Sequence, residues 1–198
     1  MGQHRKTLLI NSTGWADRAI SAVRKAQEGE VAYDIGSVSE LKRVLQNLIF
    51  SGHTFDNAVF STHGNSGVIF FDDEQLAYWQ LYKHFFYDVD YSALFPRRNA
   101  RILFNGCNVA DGVDGWKFLV AAARCFLTQI SGTAIGWTSK GFQAPFGLRD
   151  GHVIHFWGDA RAVMVLKGNA FRFYEDWKLI ESRGVPQAPS GLNVMFQH

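Results

Sequence analysis

Two side chains capable of acyl-transfer chemistry each follow an apolar, strand-like run of the sequence. His63 comes after residues 57–61, and Cys107 comes after residues 101–105. A thiol is a modest nucleophile near neutral pH because its ordinary pKa is about 8.5, and a neighbouring imidazole can take its proton or stabilise the thiolate. A histidine and a cysteine at two strand ends therefore indicate nucleophilic thiol chemistry, if the fold brings the two together.

Glycines stand directly beside both side chains. Gly64 follows His63, and Gly106 precedes Cys107. Attack on an amide carbonyl needs hydrogen-bond donors for the oxyanion that develops. Backbone amides beside glycine are open to the close approach of a substrate chain. The position of Cys107 between polar neighbours at a strand end favours a nucleophile over a buried structural thiol.

The elements that must position this pair alternate along the chain. Strands and helices in alternation through residue 138 predict a mainly parallel sheet with helices on both faces. Ligands bind outside the carboxyl ends of such strands, so we expect His63 and Cys107 to project from the same edge. The predicted strands span residues 7–11, 31–35, 57–61, 101–105 and 133–138, and the predicted helices span residues 15–27, 37–49 and 116–127.

Smaller elements are predicted in the rest of the sequence. Residues 68–71 predict a short strand, and residues 76–86 an aromatic-rich helix. Residues 161–166 and 170–174 predict an antiparallel hairpin joined by Lys167-Gly168-Asn169. We interpret residues 1–181 as a single domain and residues 182–198, which are rich in Gly, Pro, Ser and Gln, as a C-terminal tail.

Composition limits the class of protein. The 198 residues suit one domain, and 47% hydrophobic with 19% charged residues indicates a globular chain. A net charge of +2 with two short basic clusters, at residues 4–6 and 97–98, argues against nucleic-acid binding. Two cysteines are too few for a disulfide framework.

The sequence predicts neither a signal peptide nor a membrane span. Its first 18 residues reach a charge after a short apolar run, and the most apolar helical stretch, residues 116–130, is too short to cross a bilayer. We therefore expect a cytoplasmic protein that does not engage membranes. Leaderless export and excision from a longer precursor remain open.

The segments around the two side chains resemble the caspase-like (clan CD) cysteine peptidases. Within that clan they are most similar to bacterial CHAT-type domains and related self-processing domains of surface proteins. The similarity lies in Val-Phe-Ser-Thr-His-Gly at residues 59–64 and Ile-Leu-Phe-Asn-Gly-Cys-Asn-Val-Ala at residues 102–110. It covers about residues 5–140 and implies a three-layer, caspase-like sandwich. The Gln-Ala-Cys-x-Gly pattern of caspases is absent.

The resemblance implies a cysteine endopeptidase that cleaves a protein substrate or its own precursor through a thioester. His63 would be the general base and Cys107 the nucleophile, and the amides of Gly64 and Cys107 would form the oxyanion hole. It implies no cofactor and no metal, and as partners a protein or peptide substrate and a regulatory protein. The substrate pocket would draw on the segment from Asn11 to Trp15, on Asn105, and on Trp137, Thr138 and Ser139. No caspase-style arginine stands there, so a preference for acidic substrates is not supported.

Other sites and functions stay open beside this interpretation. A catalytically idle caspase-like module that scaffolds a partner is the main alternative, since a fold can persist without its activity. A small nucleotide-binding domain is less favoured because residues 11–14 are too short for a phosphate-binding loop. His152 and His155 would face opposite sides of a strand, which argues against a zinc site with Cys107. The acidic residues 72–74 favour a solvated turn over a cation site.

Overall fold

The computed structural model describes residues 6–14, 29–72, 74–127, 132–139, 148–149, 152–153, 159–166 and 170–184. The helix predicted at residues 15–27, which includes Trp15, lies outside these ranges. Residues 185–198 of the predicted tail also lie outside them.

A mixed sheet of eight strands organises the described residues. Its strands are β1 (Thr7–Ser12), β2 (Glu30–Ile35), β3 (Asn57–Ser61), β7 (Ala100–Phe104), β8 (Gly132–Trp137), β11 (Ala160–Leu166), β12 (Ala170–Glu175) and β13 (Lys178–Arg183). They lie in the order β13-β12-β11-β8-β7-β3-β1-β2. Pairing is parallel from β2 to β8 and antiparallel from β8 to β13. The predicted α/β class, with a mainly parallel sheet and antiparallel strands at its C-terminal side, is therefore confirmed.

The C-terminal antiparallel part is larger than the predicted hairpin. β11 and β12 pair as predicted, with Val163 opposite Phe173, and β13 adds a third strand. All six residues of β13 are exposed. A strand without a buried face has no alternation of apolar and polar residues in its sequence, so this strand was not predicted. Because β13 ends at Arg183, the first two residues of the predicted tail belong to a strand.

Two helices pack on one face of the sheet. Helix α1 (Val38–Phe50) buries Leu41, Leu45 and Leu48, and helix α3 (Gly112–Phe126) buries Phe118 and Ala122 among other residues. Both join one core cluster with alternate strand residues, among them Leu8, Ile10, Phe60, Ile102 and Phe104. The intervening residues Leu9, Val59, Leu103 and Ile135 point to the opposite face and are also buried. Both of these helices thus lie on one face of the sheet. The prediction of helices on both faces depends on the helix predicted at residues 15–27, which lies outside the described residues.

The start of α1 follows the predicted capping pattern. The Ser37 side chain accepts a hydrogen bond from the Glu40 amide at 3.1 Å. The Glu40 carboxylate reaches back to the amide of Gly36 at 2.9 Å, one residue before the cap. The Ser37–Glu40 pair that the sequence indicated therefore satisfies the Glu40 amide, which the helix leaves unpaired in its first turn, and the Gly36 amide just before the helix.

A small three-stranded sheet follows β3 directly. It contains β4 (His63–Asn65), β5 (Val68–Phe71) and β6 (Glu74–Ala77) in the order β4-β5-β6. The helix predicted over residues 76–86 is confirmed from Tyr78 to Phe86, and the prediction is wrong at its first two residues. Leu76 and Ala77 belong to β6 and pair with Ile69 and Val68, because burial against the hairpin outweighs the local helical spacing.

Short helical segments and one further hairpin complete the described elements. Helix α2 (Tyr78–Leu81) continues into a π-helical turn at Tyr82–Phe86, and Tyr91–Leu94 form a 3₁₀ turn. β9 (Leu148–Arg149) and β10 (His152–Val153) pair with each other in antiparallel fashion.

Candidate active site

His63 and Cys107 leave the sheet at equivalent positions on neighbouring strands. β3 and β7 are parallel and adjacent, and their last paired residues are Phe60 and Phe104. The Asn105 amide extends this pairing by donating to the Phe60 carbonyl at 2.8 Å. His63 and Cys107 each stand three residues beyond that last pair. Both therefore emerge at the carboxyl edge of the same two strands, as the alternation of elements predicted.

Beyond this edge the two chain segments touch through their glycines. A Cβ atom added to Gly106 would lie 3.0 Å from both the Cα and the amide nitrogen of Gly64. One added to Gly64 would lie 2.9 Å from the Cys107 carbonyl oxygen and would overlap the Val109 side chain. The Cβ at Gly106 would also lie 2.8 Å from the Val109 side chain. Real Cβ atoms essentially never come closer than 3.0 Å to another heavy atom, so a larger residue at either position would force its neighbours to shift. The contact brings the residues flanking His63 and Cys107 together.

The two candidate catalytic side chains are more exposed than the second cysteine, Cys125. His63 is exposed at the start of β4, where it pairs with Phe70, and Cys107 is half-buried. Cys125 is buried in α3, where its sulfur donates to the Leu81 carbonyl at 3.6 Å. Burial raises the pKa of Cys125 to about 12. Of the two thiols, only Cys107 has the accessibility that a nucleophile needs.

The loop that follows the nucleophile candidate is tied to the end of β8. We call residues 107–111 the nucleophile loop. Asn108 has a left-handed backbone, with φ of 57°, and its amide donates to the Ser139 carbonyl at 3.0 Å. The Ala110 amide donates to the Trp137 carbonyl at 2.8 Å, and the Asp111 amide closes a turn onto Asn108 at 2.9 Å. These bonds fix the backbone on which the Cys107 side chain is mounted.

A second set of bonds joins this loop to the turn between β4 and β5. The Ser66 hydroxyl donates to the Asp111 carbonyl at 2.6 Å, and the Gly67 amide donates to the Val109 carbonyl at 3.0 Å. His63 begins β4, so its hairpin and the nucleophile loop form one connected unit. Val109 is fully buried and packs against both Gly64 and Gly106. Sequence reasoning missed Ser66 and Val109 because neither carries chemistry of its own.

Several predicted pocket residues meet beside Cys107. The Trp137 indole donates to the Asn105 side-chain oxygen at 3.0 Å. Ser139 accepts from the nucleophile loop through its carbonyl, and its buried hydroxyl lacks a hydrogen-bond partner among the described residues. Thr138 donates through its amide and its hydroxyl to the Asp159 carbonyl, at 2.9 and 3.0 Å.

Asn11 occupies a different place from the other predicted pocket residues. It lies on β1 opposite Ser61, and its side chain is 4% exposed. Its amide donates to the Asp34 carboxylate on β2 at 3.2 Å. The side chain is therefore engaged on the side of β1 away from β3 and Cys107. Trp15 lies outside the described residues.

The acidic segment after β5 makes local structural contacts. The Thr13 hydroxyl donates to the Asp72 carboxylate at 2.9 Å, and Glu74 accepts from the Val38 amide at the start of α1 at 2.7 Å. Asp73 and His155 lie outside the described residues. Among the residues that are described, no three His, Cys, Asp or Glu side chains cluster as metal ligands would.

A separate groove of about 550 Å³ lies along the outer side of α3. Aromatic and aliphatic side chains line it, including Tyr78, Tyr82, Trp116, Val120 and Phe173. Neither His63 nor Cys107 is among its lining residues, so this groove is distinct from the candidate active site.

Arg161 is the other residue that sequence reasoning missed at this edge. It lies on β11, and its guanidinium donates to the carbonyls of Ala110 and Gly112, both at 3.0 Å. A single arginine in an apolar strand is the only signal that its sequence offers, and that signal does not indicate which backbone it contacts.

The chain matches no protein-family model and no curated protein sequence. Within the described residues, no helix has both the length and the apolar character required to cross a membrane.

Proposed function

We propose that this protein is a cysteine endopeptidase whose catalytic dyad is His63 and Cys107. The observation that carries the proposal is the backbone contact between Gly64 and Gly106, which brings the chain segments that carry the histidine and the cysteine together at one sheet edge. We propose further that the fold is a three-layer sandwich of the caspase-like kind, and that its substrate is a protein or a segment of its own precursor.

The reaction would proceed by acyl transfer. The Cys107 sulfur attacks the carbonyl carbon of the scissile peptide bond while His63 takes the thiol proton. The amides of Gly64 and Cys107 donate to the oxyanion, the carbon–nitrogen bond breaks, and His63 returns the proton to the departing amine. Water then hydrolyses the thioester and restores the thiol. Asn105, Trp137 and Ser139, which lie beside the nucleophile loop, would contact the substrate.

The dyad is tested by cleavage of a peptide pool prepared from a whole proteome, with new termini identified by mass spectrometry. We expect Cys107→Ala to abolish cleavage, because the thioester cannot form without the thiol. We expect His63→Ala to slow it by roughly 10²-fold or more, which is the usual contribution of a general base.

Matched variants exist for both residues. His53→Ala removes another exposed histidine, and Cys125→Ala removes the buried thiol, so both should cleave at close to the wild-type rate. Undiminished cleavage by Cys107→Ala or His63→Ala would exclude the dyad. A folded wild type that neither cleaves nor reacts with a thiol-directed acylating probe would instead favour the idle scaffold module.

A further inference from the structure

Arg161 joins the nucleophile loop to the antiparallel side of the sheet. One of its terminal nitrogens donates to the carbonyls of Ala110 and Gly112, which flank the end of that loop, at 3.0 Å each. The Ala110 amide is meanwhile held by the Trp137 carbonyl. Both polar groups of Ala110 are thus bonded to the large sheet, one to β8 and one to β11.

The guanidinium is itself held from two other sides. Its Nε and its second terminal nitrogen both donate to one Glu175 oxygen on β12 at 2.8 Å. Its central carbon, Cζ, lies over the Trp116 ring on α3, 4.8 Å from the ring centre. The Arg161 side chain is 17% exposed, so water screens these interactions only in part. A planar guanidinium offers five donors in a rigid fork and can stack flat on an aromatic face, whereas an ammonium is a compact point charge with three donors and no such fork.

We propose that Arg161 is a positioning residue that fixes the nucleophile loop so that the Cys107 thiol faces His63. This inference rests on the proposed function. The loop enters through a left-handed Asn108 and leaves through Gly112, which also has a positive φ of 63°. The carbonyls of Val109 and Asp111 accept from Gly67 and Ser66. The Ala110 carbonyl between them accepts from Arg161, which lies 51 positions further along the chain.

The experiment measures alkylation by iodoacetamide at pH 7, with each cysteine read separately by mass spectrometry. Iodoacetamide alkylates the thiolate, and a neighbouring imidazole favours that form, so a Cys107 thiol that no longer faces His63 should react more slowly. We expect Arg161→Met to slow the labelling of Cys107 by about tenfold or more while the labelling of Cys125 stays as slow as in the wild type. Arg161→Lys retains the charge but not the planar fork, so we expect its Cys107 to be labelled at a rate between those of the wild type and Arg161→Met.

The two cysteines separate positioning from a merely structural role. If Arg161 only stabilised the fold, its loss would expose both thiols and speed the labelling of both. Arg183→Met is the matched control. Arg183 also lies over an aromatic ring, that of Phe173, and pairs with a glutamate, Glu181, but its pairing partners lie on β12 and β13, away from the nucleophile loop. We expect Cys107 of the Arg183→Met variant to be labelled at the wild-type rate.

The same experiment distinguishes failure of this inference from failure of the dyad. His63→Ala is labelled in parallel, and the dyad requires its Cys107 to react more slowly than that of the wild type. Equal rates in those two proteins would contradict the proposed function. The role of Arg161 alone would be overturned if Cys107 is labelled slowly in His63→Ala but at the wild-type rate or faster in Arg161→Met.

Discussion

The absence of side chains at Gly64 and Gly106 makes the candidate site possible. Each glycine lies where a methyl group would strike the other chain segment or Val109. Gly64 has no positive φ, so its requirement is space and not backbone conformation. Glycine at both positions lets the two chain segments after the strands come into contact, and the proposed chemistry depends on that contact.

Gly64→Ala should therefore destabilise the protein and disturb the site together. The new Cβ would meet the Cys107 carbonyl oxygen and the Val109 side chain, and overpacking of this kind costs about 1–3 kcal/mol. Urea denaturation measures this loss. We expect slower cleavage as well, because relief of the clash must move the Cys107 backbone.

A double variant separates the two clashes. In Gly64→Ala/Val109→Ala the side-chain overlap is gone while the contact with the Cys107 carbonyl remains. The loss of unfolding free energy should then be smaller than the sum of the two single losses. Strict additivity would contradict the packing described for Val109.

At the scale of elements, the sequence predicted the helices and strands that local patterns determine, but it misplaced a boundary that depends on a contact between elements. The parallel strands, α1 with its Ser37 cap, and the pairing of β11 with β12 follow from apolar runs and short-range capping, so the sequence was sufficient for them. The helix predicted at residues 116–127 begins earlier, at Gly112. Gly115 in its first turn lies where a Cβ atom would overlap the Ala110 backbone, so a glycine permits this close approach.

Ser37→Ala tests the start of α1. Loss of the hydroxyl leaves the Glu40 amide without its partner, which should lower the free energy of unfolding by about 1 kcal/mol. Chemical denaturation of this variant is compared with that of Asn47→Ala, an exposed substitution on the same helix. An equal effect of the two would indicate that the cap contributes nothing.

For the whole molecule, the contacts that complete the site join residues far apart in sequence. Arg161 reaches Ala110 across 51 positions, and Ser66 reaches Asp111 across 45. No pattern of spacing encodes such contacts, because they depend on the order in which the strands are arranged. The sequence could therefore predict that His63 and Cys107 lie at the same sheet edge, but not the contacts that hold their chain segments in place.

The pH dependence of stability offers a test of packing away from the site. The Asp88 carboxylate accepts from the Tyr91 hydroxyl and Gln46 at 2.7 Å and pairs with Lys42 of α1 at 3.2 Å. The hydrogen bond from Tyr91, followed by the contacts with Lys42 and Gln46, lowers the pKa of Asp88 below its ordinary value of 3.8. The stabilisation is therefore present above that value and is lost as pH falls through the lowered pKa.

Asp88→Asn should accordingly be less stable than the wild type near neutral pH. The difference between the two proteins should shrink as pH falls below 3.8, since the wild-type carboxylate then becomes protonated. Denaturation curves between pH 7 and the lowest pH at which both proteins fold measure this difference. A constant difference across that range would contradict the assigned network.

The central claim, that His63 and Cys107 act as one catalytic unit, is tested most directly by a double-mutant cycle of cleavage rates. The rates of His63→Ala, Cys107→Ser and the double variant are measured on the peptide that the wild type cleaves fastest. Because residues of one catalytic unit are strongly non-additive, the double variant should be about as slow as Cys107→Ser alone. Losses that multiply, or a wild-type rate in His63→Ala, would contradict the dyad.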